Sequence, residues 1–412
     1  MPISKSGMIR WAVRLVLLVV ALLLVLGGPL PDVMAKAVPA LSPLAVLSAS
    51  IAHRGWYANL LWTAPALLVL VSALWKGRWF CRWICPLGTV ISVPSQVSFR
   101  RRLLRKRING TFFWFIVGAS AAGLPLLLFL DPLSTFTRLG VLAGRNTDPW
   151  GWIAGALIPA VMLLALIQPQ VWCTHLCPLG YFLETVRVRG ARRRFQQGRR
   201  DVLRGLLLGV PAAFLVRRFA KATGNERPVM PPGAKGTDNF AATCERCYAC
   251  VEICPTRVIR IRQRTAGIAE WYLPEMDFNT SYCEEFCNKC TQVCPTGALR
   301  PLTEEQKRMR KIGTARVIRE QCLGWAEQKH CMLCDEFCPY NAVLVRKGKN
   351  DVPKPVVDPD VCRGCGACQN VCPVEGKAIV IDPTGLQGIA KEYTEVTGKQ
   401  RRRRDRNGGR RN

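Results

Sequence analysis

Sixteen of the twenty cysteines occur in four similar groups in the C-terminal half of the chain. Each group contains the pattern C-x2-C-x3-C-P, preceded by one further cysteine at a variable distance. The groups are Cys244, Cys247, Cys250 and Cys254; Cys283, Cys287, Cys290 and Cys294; Cys322, Cys331, Cys334 and Cys338; and Cys362, Cys365, Cys368 and Cys372. The first and fourth groups have the spacing of cluster ligands in bacterial ferredoxins. The sequence therefore predicts four [4Fe–4S] clusters held by these cysteines.

Clustered cysteines have two other common uses. In oxidising compartments they form disulfides, and paired C-x2-C units bind zinc. Neither use explains the fourfold recurrence of the whole C-x2-C-x3-C-P core. No C-x-x-C-H motif occurs, and the histidines His53, His175 and His330 lie in different regions, so we expect no haem. The spacing leaves open which groups share a pair of clusters.

The other four cysteines form two copies of a second motif, C-x3-C-P-L-G. Cys81 and Cys85 belong to the first copy, and Cys173 and Cys177 to the second. Each copy follows an apolar stretch and precedes an arginine-rich one, so the N-terminal half contains an internal repeat of helix pairs. If the copies face one another, they supply four ligands to one further cluster. The alternatives are redox-active dithiols or reduced structural cysteines.

The N-terminal half positions these motifs with apolar stretches. A bilayer-spanning helix needs about 20 apolar residues. Four stretches approach this length, and a fifth is shorter: Trp11–Leu30, Leu60–Trp75, Thr111–Leu130, Gly151–Ile167 and Gly205–Val216. Arginine and lysine concentrate after the second and fourth stretches. Because cytoplasmic loops collect these residues, we expect the amino terminus and both C-x3-C-P-L-G motifs in the cytoplasm of a bacterial inner-membrane protein, and the polyferredoxin part in the periplasm.

The formal net charge of +30 accompanies a hydrophobic content of 49%. A strongly basic chain commonly binds nucleic acid. Here the basic residues lie beside the apolar stretches, where membrane topology explains them. We therefore expect membrane lipid as a partner and no nucleic acid.

The pair Arg199 and Arg200 begins the segment RRDVLRGLLLGVPAAF. This segment resembles a twin-arginine export signal. The resemblance implies that the following cysteine-rich part crosses the membrane already folded. Clusters are inserted in the reducing cytoplasm, so a cluster-bearing domain needs such a route. We expect the segment to remain attached as a fifth membrane helix.

These observations divide the chain into five parts. We expect an α-helical membrane domain with a four-helix core and a signal-anchor helix, followed by an α+β ferredoxin-like domain with four cluster motifs. The boundaries are 1–198 for the membrane domain, 199–220 for the signal anchor, 221–238 for a Pro/Gly-rich linker, 239–385 for the polyferredoxin domain and 386–412 for a basic disordered tail.

Both halves resemble known families. WFCRWICPLG and VWCTHLCPLG, together with LDPLSTFTR at Leu130–Arg138, resemble the membrane core of NapH/MauN/NosR-type proteins. RRDVLRG, RPVMPPGA and the four cysteine groups resemble the NapG/MauM-type exported ferredoxin. The resemblance implies a fusion of a quinol-oxidising membrane protein with a periplasmic polyferredoxin. The cytoplasmic ferredoxin segment common in the NapH type is missing, as in the MauN type, which argues against a specific assignment to periplasmic nitrate reduction.

The sequence thus predicts electron transfer between the quinone pool and a periplasmic cytochrome, reductase or dehydrogenase. Quinol oxidation is the favoured direction, and the reverse is compatible with the same residues. Asp131 and His53 are candidates for the quinone site, since a carboxylate or an imidazole accepts quinol protons. The structural alternatives are a helix cap for Asp131 and a loop position for His53. A separate hypothesis is a maturation or redox-support factor for a periplasmic metalloenzyme.

Overall fold

The structure is a computed structural model with two halves, one helical and one built around short strands. It describes residues 5–25, 36–53, 60–96, 108–124, 126–143, 155–188, 191–220, 228–261, 270–347, 351–383 and 388–391. Most of the expected basic tail, from residue 392 onward, lies outside the described residues. Residues 221–227, the first part of the expected linker, also lie outside the described residues.

The N-terminal half is helical wherever it is described as regular structure. Its α-helices are α1 Lys5–Val25, α2 Ala37–Ala40, α3 Pro43–His53, α4 Leu60–Lys76, α5 Trp79–Trp83, α6 Pro86–Ser92, α7 Asn109–Ala121, α8 Leu126–Phe129, α9 Pro132–Ala143, α10 Leu157–Ile167, α11 Pro178–Thr185 and α12 Ala191–Ala220. A 3-10 turn covers Pro94–Gln96, and a π-helical turn covers Trp172–Leu176. Leu133, Phe136 and Leu179 are fully buried in the core of this half.

The apolar stretches form shorter helices than the sequence predicted. Among the described residues, one helical segment, Met8–Val25 in α1, has the length and composition to cross a membrane. Thr63–Lys76 and Leu157–Ile167 are shorter apolar helical segments. The predicted third span is interrupted, because α7 ends at Ala121 and Gly123 takes a φ of +94°, which glycine adopts without steric cost. The expected core of four spanning helices is not confirmed.

The predicted signal anchor lies within α12, which packs along α7. Glycines bring the two helices into close contact. A Cβ atom on Gly205 would lie 2.5 Å from the Cβ atom of Trp114, and one on Gly209 would lie 2.3 Å from the carbonyl oxygen of Phe115. Glycines four residues apart lie on one face of a helix and allow this close approach between two helices. The segment that resembles an export signal is therefore a packed part of the helical half.

The C-terminal half consists of short helices and three two-stranded antiparallel sheets. Its helices are α13 Thr237–Thr243, α14 Ala249–Glu252, α15 Lys289–Gln292, α16 Glu304–Met309, α17 Leu333–Glu336 and α18 Ala367–Val371. Its strands are β1 Ile259–Ile261, β2 Pro274–Met276, β3 Thr314–Val317, β4 Val343–Lys347, β5 Pro353–Val357 and β6 Ile379–Asp382. Strand β1 pairs with β2, β4 with β5, and β3 with β6.

The packed part of this half extends beyond both expected boundaries. Val229 and Met230 are buried in its core, although the sequence placed them in the linker. The Met276 amide donates a hydrogen bond to the Val229 carbonyl at 2.9 Å. At the other end, the Ala390 amide donates to the Met309 carbonyl at 2.8 Å. The structured ferredoxin half thus starts before residue 239 and continues past residue 385.

Candidate functional site

The sixteen cysteines of the ferredoxin half come together as four sets of four. Each set combines three cysteines of one motif with the last cysteine of a partner motif. Site A contains Cys244, Cys247, Cys250 and Cys294, and site B contains Cys254, Cys283, Cys287 and Cys290. Site C contains Cys338, Cys362, Cys365 and Cys368, and site D contains Cys322, Cys331, Cys334 and Cys372. The first motif is therefore partnered with the second, and the third with the fourth.

The sulfurs of sites B, C and D surround cavities instead of converging on one point. Among the residues that the structure describes, no group of three or more ligating side chains is spaced for a single metal ion. A [4Fe–4S] cluster brings its own sulfide and presents one iron to each of four cysteines. The arrangement of the sulfurs fits that larger group.

The immediate surroundings of the sulfurs also fit a cluster. The Ala315 amide donates to Cys362 Sγ at 3.3 Å, and the Ala342 amide donates to Cys338 Sγ at 3.3 Å. Such hydrogen bonds stabilise charge on cluster sulfurs. Burial raises the pKa of the Cys244 thiol to about 11 and that of Cys365 to about 12. Buried sulfurs of this kind become thiolates only beside a positive charge, which iron provides.

The loops that hold sites A and C share an unusual backbone conformation. In the fourth motif, Gly364 and Gly366 have φ values of +72° and +85°. The corresponding residues of the first motif, Arg246 and Tyr248, have φ values of +56° and +62° although they carry side chains. A Cβ atom on Gly364 would also lie 2.5 Å from the amide nitrogen of Gly313. Left-handed residues at these two positions turn the chain tightly enough for three cysteines to face one cavity.

The four sites follow one another as neighbours in the order A, B, C, D, and we call this succession the line of sites. Cys250 of site A interacts electrostatically with site B. The Cys283 amide of site B donates to the Cys365 carbonyl of site C at 2.9 Å. Cys368 of site C interacts electrostatically with Cys334 of site D. The fourth motif therefore contributes most of the third site in the line, and the order in space differs from the order along the chain.

The four cysteines of the helical half also come together, and we call this set site M. Its members are Cys81, Cys85, Cys173 and Cys177. The Gly88 amide donates to Cys85 Sγ at 3.4 Å, and the Gly180 amide donates to Cys177 Sγ at 3.3 Å. The two copies of the motif thus have the same local geometry, with the second cysteine at the N-terminus of a short helix that begins with proline.

Arg78 links the two copies of the motif. Its Nη1 atom donates to the Cys173 carbonyl at 3.1 Å, and its Nη2 atom lies 2.5 Å from Oε2 of Glu184. Arg78 precedes the first copy in sequence, whereas Cys173 begins the second copy and Glu184 lies in α11, the helix that follows from it. The internal repeat seen in the sequence is therefore held together across its two halves.

Asp131 lies where the helical half meets the ferredoxin half. Its Oδ1 atom accepts a hydrogen bond from the Ser42 hydroxyl at 2.6 Å, and its Oδ2 atom accepts one from the Leu133 amide at 3.0 Å, so it caps α9. The Ser134 hydroxyl donates to Glu245 of the first cysteine motif. Burial raises the pKa of Asp131, and burial together with the Asp131 carboxylate raises the pKa of Glu245 well above its ordinary value. Two buried carboxyl groups thus lie between the halves, beside site A.

His53 has a different position from the one expected. It is the last residue of helix α3, so the predicted loop position is wrong. Its side chain lies outside the described part of the structure. The preceding helical segment packs against α13 of the ferredoxin half.

This arrangement defines an iron–sulfur protein of the ferredoxin type, and sequence comparison agrees. A 4Fe-4S dicluster domain family matches residues 243–298 and 329–375, and another matches residues 354–406. A 4Fe-4S binding domain family matches residues 58–108 and 149–196, which contain the two cysteine pairs of site M. No solved structure is significantly similar to the chain.

Among curated proteins, the ferredoxin-type protein NapG of Escherichia coli K12 is 33% identical over 212 residues, covering 48% of this chain and 88% of NapG. The methylamine utilization ferredoxin-type protein MauM of Methylophilus methylotrophus is 31% identical over 215 residues, covering 49% of this chain and 93% of MauM. MauN of Methylorubrum extorquens is 29% identical over 219 residues, covering 46% of this chain and 74% of MauN. The chain belongs to the ferredoxin-type family that includes NapG and MauM.

Proposed function

We propose that the protein passes electrons between the membrane quinone pool and a soluble periplasmic partner, as a quinol dehydrogenase component. The sixteen cysteines of sites A to D are the ligands of four [4Fe–4S] clusters, which supply one-electron transfer. The observation that carries this proposal is the succession of sites A, B, C and D, which starts where Ser134 and Arg138 of the helical half contact the first cysteine motif. Site D is the last in this succession, and we assign it the exchange with a cytochrome, reductase or dehydrogenase.

Membrane anchoring is supported by the surface of the helical half. Val16, Leu68, Leu207 and Phe214 belong to three different helices, and each is more than 60% exposed. Large exposed apolar surfaces mark contacts with lipid or protein. In the proposed topology the amino terminus faces the cytoplasm and the ferredoxin half faces the periplasm, with α12 retained as a fifth membrane helix. The helix packing of Gly205 and Gly209 against α7 supports this retention.

Site M is proposed as a further cluster site. Its two cysteine pairs have matching amide-to-sulfur hydrogen bonds and lie in segments that match a 4Fe-4S binding family. Cys81 and Cys85 of site M also interact electrostatically with Asp131, which lies where the helical half meets the ferredoxin half. Site M is therefore close to the proposed electron-transfer route. In the proposed reaction, Asp131 is a proton acceptor for quinol, because it is a buried carboxylate between site M and site A.

The proposal is tested by electron paramagnetic resonance on the full-length protein in liposomes. Addition of a reduced quinol should produce the signals of reduced clusters within the turnover time of the system. Dithionite supplies the control, because it reduces every intact cluster. Clusters that respond to dithionite and never to quinol would contradict quinol oxidation.

A deletion strain separates this role from maturation. An electron-transfer component leaves its periplasmic partner loaded with cofactor but short of electrons. A partner that lacks its own cofactor in the deletion strain would support the maturation hypothesis instead.

A further inference from the structure

Two cations of the helical half contact the backbone of site A. Arg138 is fully buried, and its Nε atom donates to the Arg246 carbonyl at 3.1 Å. Its Nη2 atom donates to the Phe129 carbonyl at 2.8 Å and lies 3.4 Å from the Glu245 carbonyl. Glu245 and Arg246 form the loop between the first two cysteines of site A. A guanidinium of the helical half therefore holds the first loop of this site.

Lys36 contacts the other side of the same site. It is 6% exposed, and its Nζ atom donates to the Gln292 carbonyl at 2.7 Å. Gln292 precedes Cys294, the fourth cysteine of site A, by two residues. Lys36 and Cys294 also interact electrostatically. The helical half thus contacts both of the motifs that build site A, and each contact is made by a positively charged side chain.

Buried cations are unevenly distributed along the line of sites. Among the described residues, the buried cations are Lys36, Arg138, Arg246, Lys307 and Arg363. The first three adjoin site A. Lys307 interacts with Cys283 of site B, and Arg363 lines site C. Within the described residues, site D has no buried cation beside it.

Burying a cation is costly, so three cations at one site need an electrostatic reason. Reduction adds one negative charge to the group that a site holds. A nearby positive charge stabilises the reduced form, and it does so more strongly in a buried location than in water. The buried carboxyl groups of Asp131 and Glu245 offset part of this positive charge. The cations that donate to the backbone of site A should still raise its reduction potential above the value that it would have without them.

We infer that Arg138 and Lys36 are positioning residues that fix site A against the helical half and raise its reduction potential. This inference rests on the proposed function in one respect, namely that the sites hold clusters that exchange electrons with quinol. A high potential suits site A for exchange with quinol, because quinol is a weaker reductant than the donors of ordinary ferredoxins. The inference adds the residues of the helical half that set the potential of site A.

The test is a redox titration of the four cluster signals in the full-length protein. Lys36→Gln and Arg138→Gln should each lower the reduction equilibrium constant of site A by about tenfold, a shift of about 59 mV for one electron. The reduction potentials of sites B, C and D should remain unchanged. Arg138→Lys keeps the charge, so it should keep most of the potential. Arg308→Gln is the matched control, since this arginine is 46% exposed at its side chain and lies beside Phe286 near site B.

Hydrogen–deuterium exchange of residues 239–250 and 289–294 provides a second readout that does not depend on electron transfer. Arg138→Gln should increase exchange in the first range and Lys36→Gln in the second, because each variant loses the contact of that range with the helical half. An unchanged site A potential in both variants would overturn the inference. If site A shifts as expected while quinol reduces no cluster, the inference stands and the proposed function fails.

Discussion

The contact between helices α12 and α7 can be tested with one added methyl group. The perturbation is Gly209→Ala, which places a Cβ atom 2.3 Å from the Phe115 carbonyl oxygen and 3.0 Å from its Cα atom. Both neighbouring atoms are backbone, so no side chain can move aside, and the helices must separate. Gly198→Ala in the same helix is the control, because no atom lies within 4 Å of its Cβ position.

The magnitude follows from the difference between the two variants. Each gains the same helical propensity, about 1 kcal/mol for alanine over glycine. The steric cost applies only at residue 209, and overpacking typically costs about 1–3 kcal/mol. We therefore expect Gly209→Ala to have a free energy of unfolding about 1–3 kcal/mol below that of Gly198→Ala.

The assay is denaturant unfolding of the detergent-solubilised protein, monitored by circular dichroism, together with the mass of the purified chain. The intact mass should show that α12 remains attached to both halves. Equal stability of the two variants would refute the close packing of α12 on α7. A chain cleaved after residue 220 would refute the retention of the segment as a membrane helix.

Three further changes test other parts of the structure. Replacement of Cys254 by serine should abolish the cluster signal of site B and preserve that of site A, although Cys254 belongs to the first motif, which supplies the other three cysteines to site A. Loss of the site A signal alone would contradict this pairing. Gly364→Ala should lower the free energy of unfolding by at least about 2 kcal/mol more than Gly376→Ala, because both residues have left-handed backbones but only a Cβ atom at residue 364 would lie 2.5 Å from Gly313. Equal unfolding free energies from calorimetry would contradict the loop geometry. Arg78→Gln should lower the free energy of unfolding by about 1–2 kcal/mol in denaturant unfolding, because the contact between the two copies of the site M motif is weakened. A change below about 0.5 kcal/mol, the level of an ordinary surface substitution, would mean that the two contacts of Arg78 do not stabilise the fold.

Local spacing accounts for what the sequence predicted well. Three cysteines within a seven-residue loop must face the same cavity, so the ligand sets of a motif such as Cys362 to Cys368 can be anticipated from the spacing alone. The repeat of C-x3-C-P-L-G likewise indicated that Cys81 and Cys173 have equivalent environments. In each case the contacts are short in sequence and depend little on the remainder of the fold.

Longer-range features required the structure. Arg138 and Glu245 are more than 100 residues apart, and nothing in either local sequence specifies that they meet. A signal was nevertheless present, since Asp131 and Arg138 are charged residues within the otherwise uncharged LDPLSTFTR segment, and buried charges need partners. The helix break before Gly123 was missed because the stretch Thr111–Leu130 is predominantly apolar and carries no charge. The position of His53 was missed because helix ends are poorly specified by sequence.

The position of the fourth motif in the line of sites has a consequence for biogenesis. All cysteines of sites A and B are present once the chain has been synthesised through Cys294. Sites C and D both also need cysteines of the last motif, which ends at Cys372. Strand β3 also waits for its partner β6, which follows Cys372. Metallocentre assembly on the nascent chain is thus divided into two episodes. A chain that ended between these two steps would contain every cysteine of sites A and B but would lack cysteines of both site C and site D.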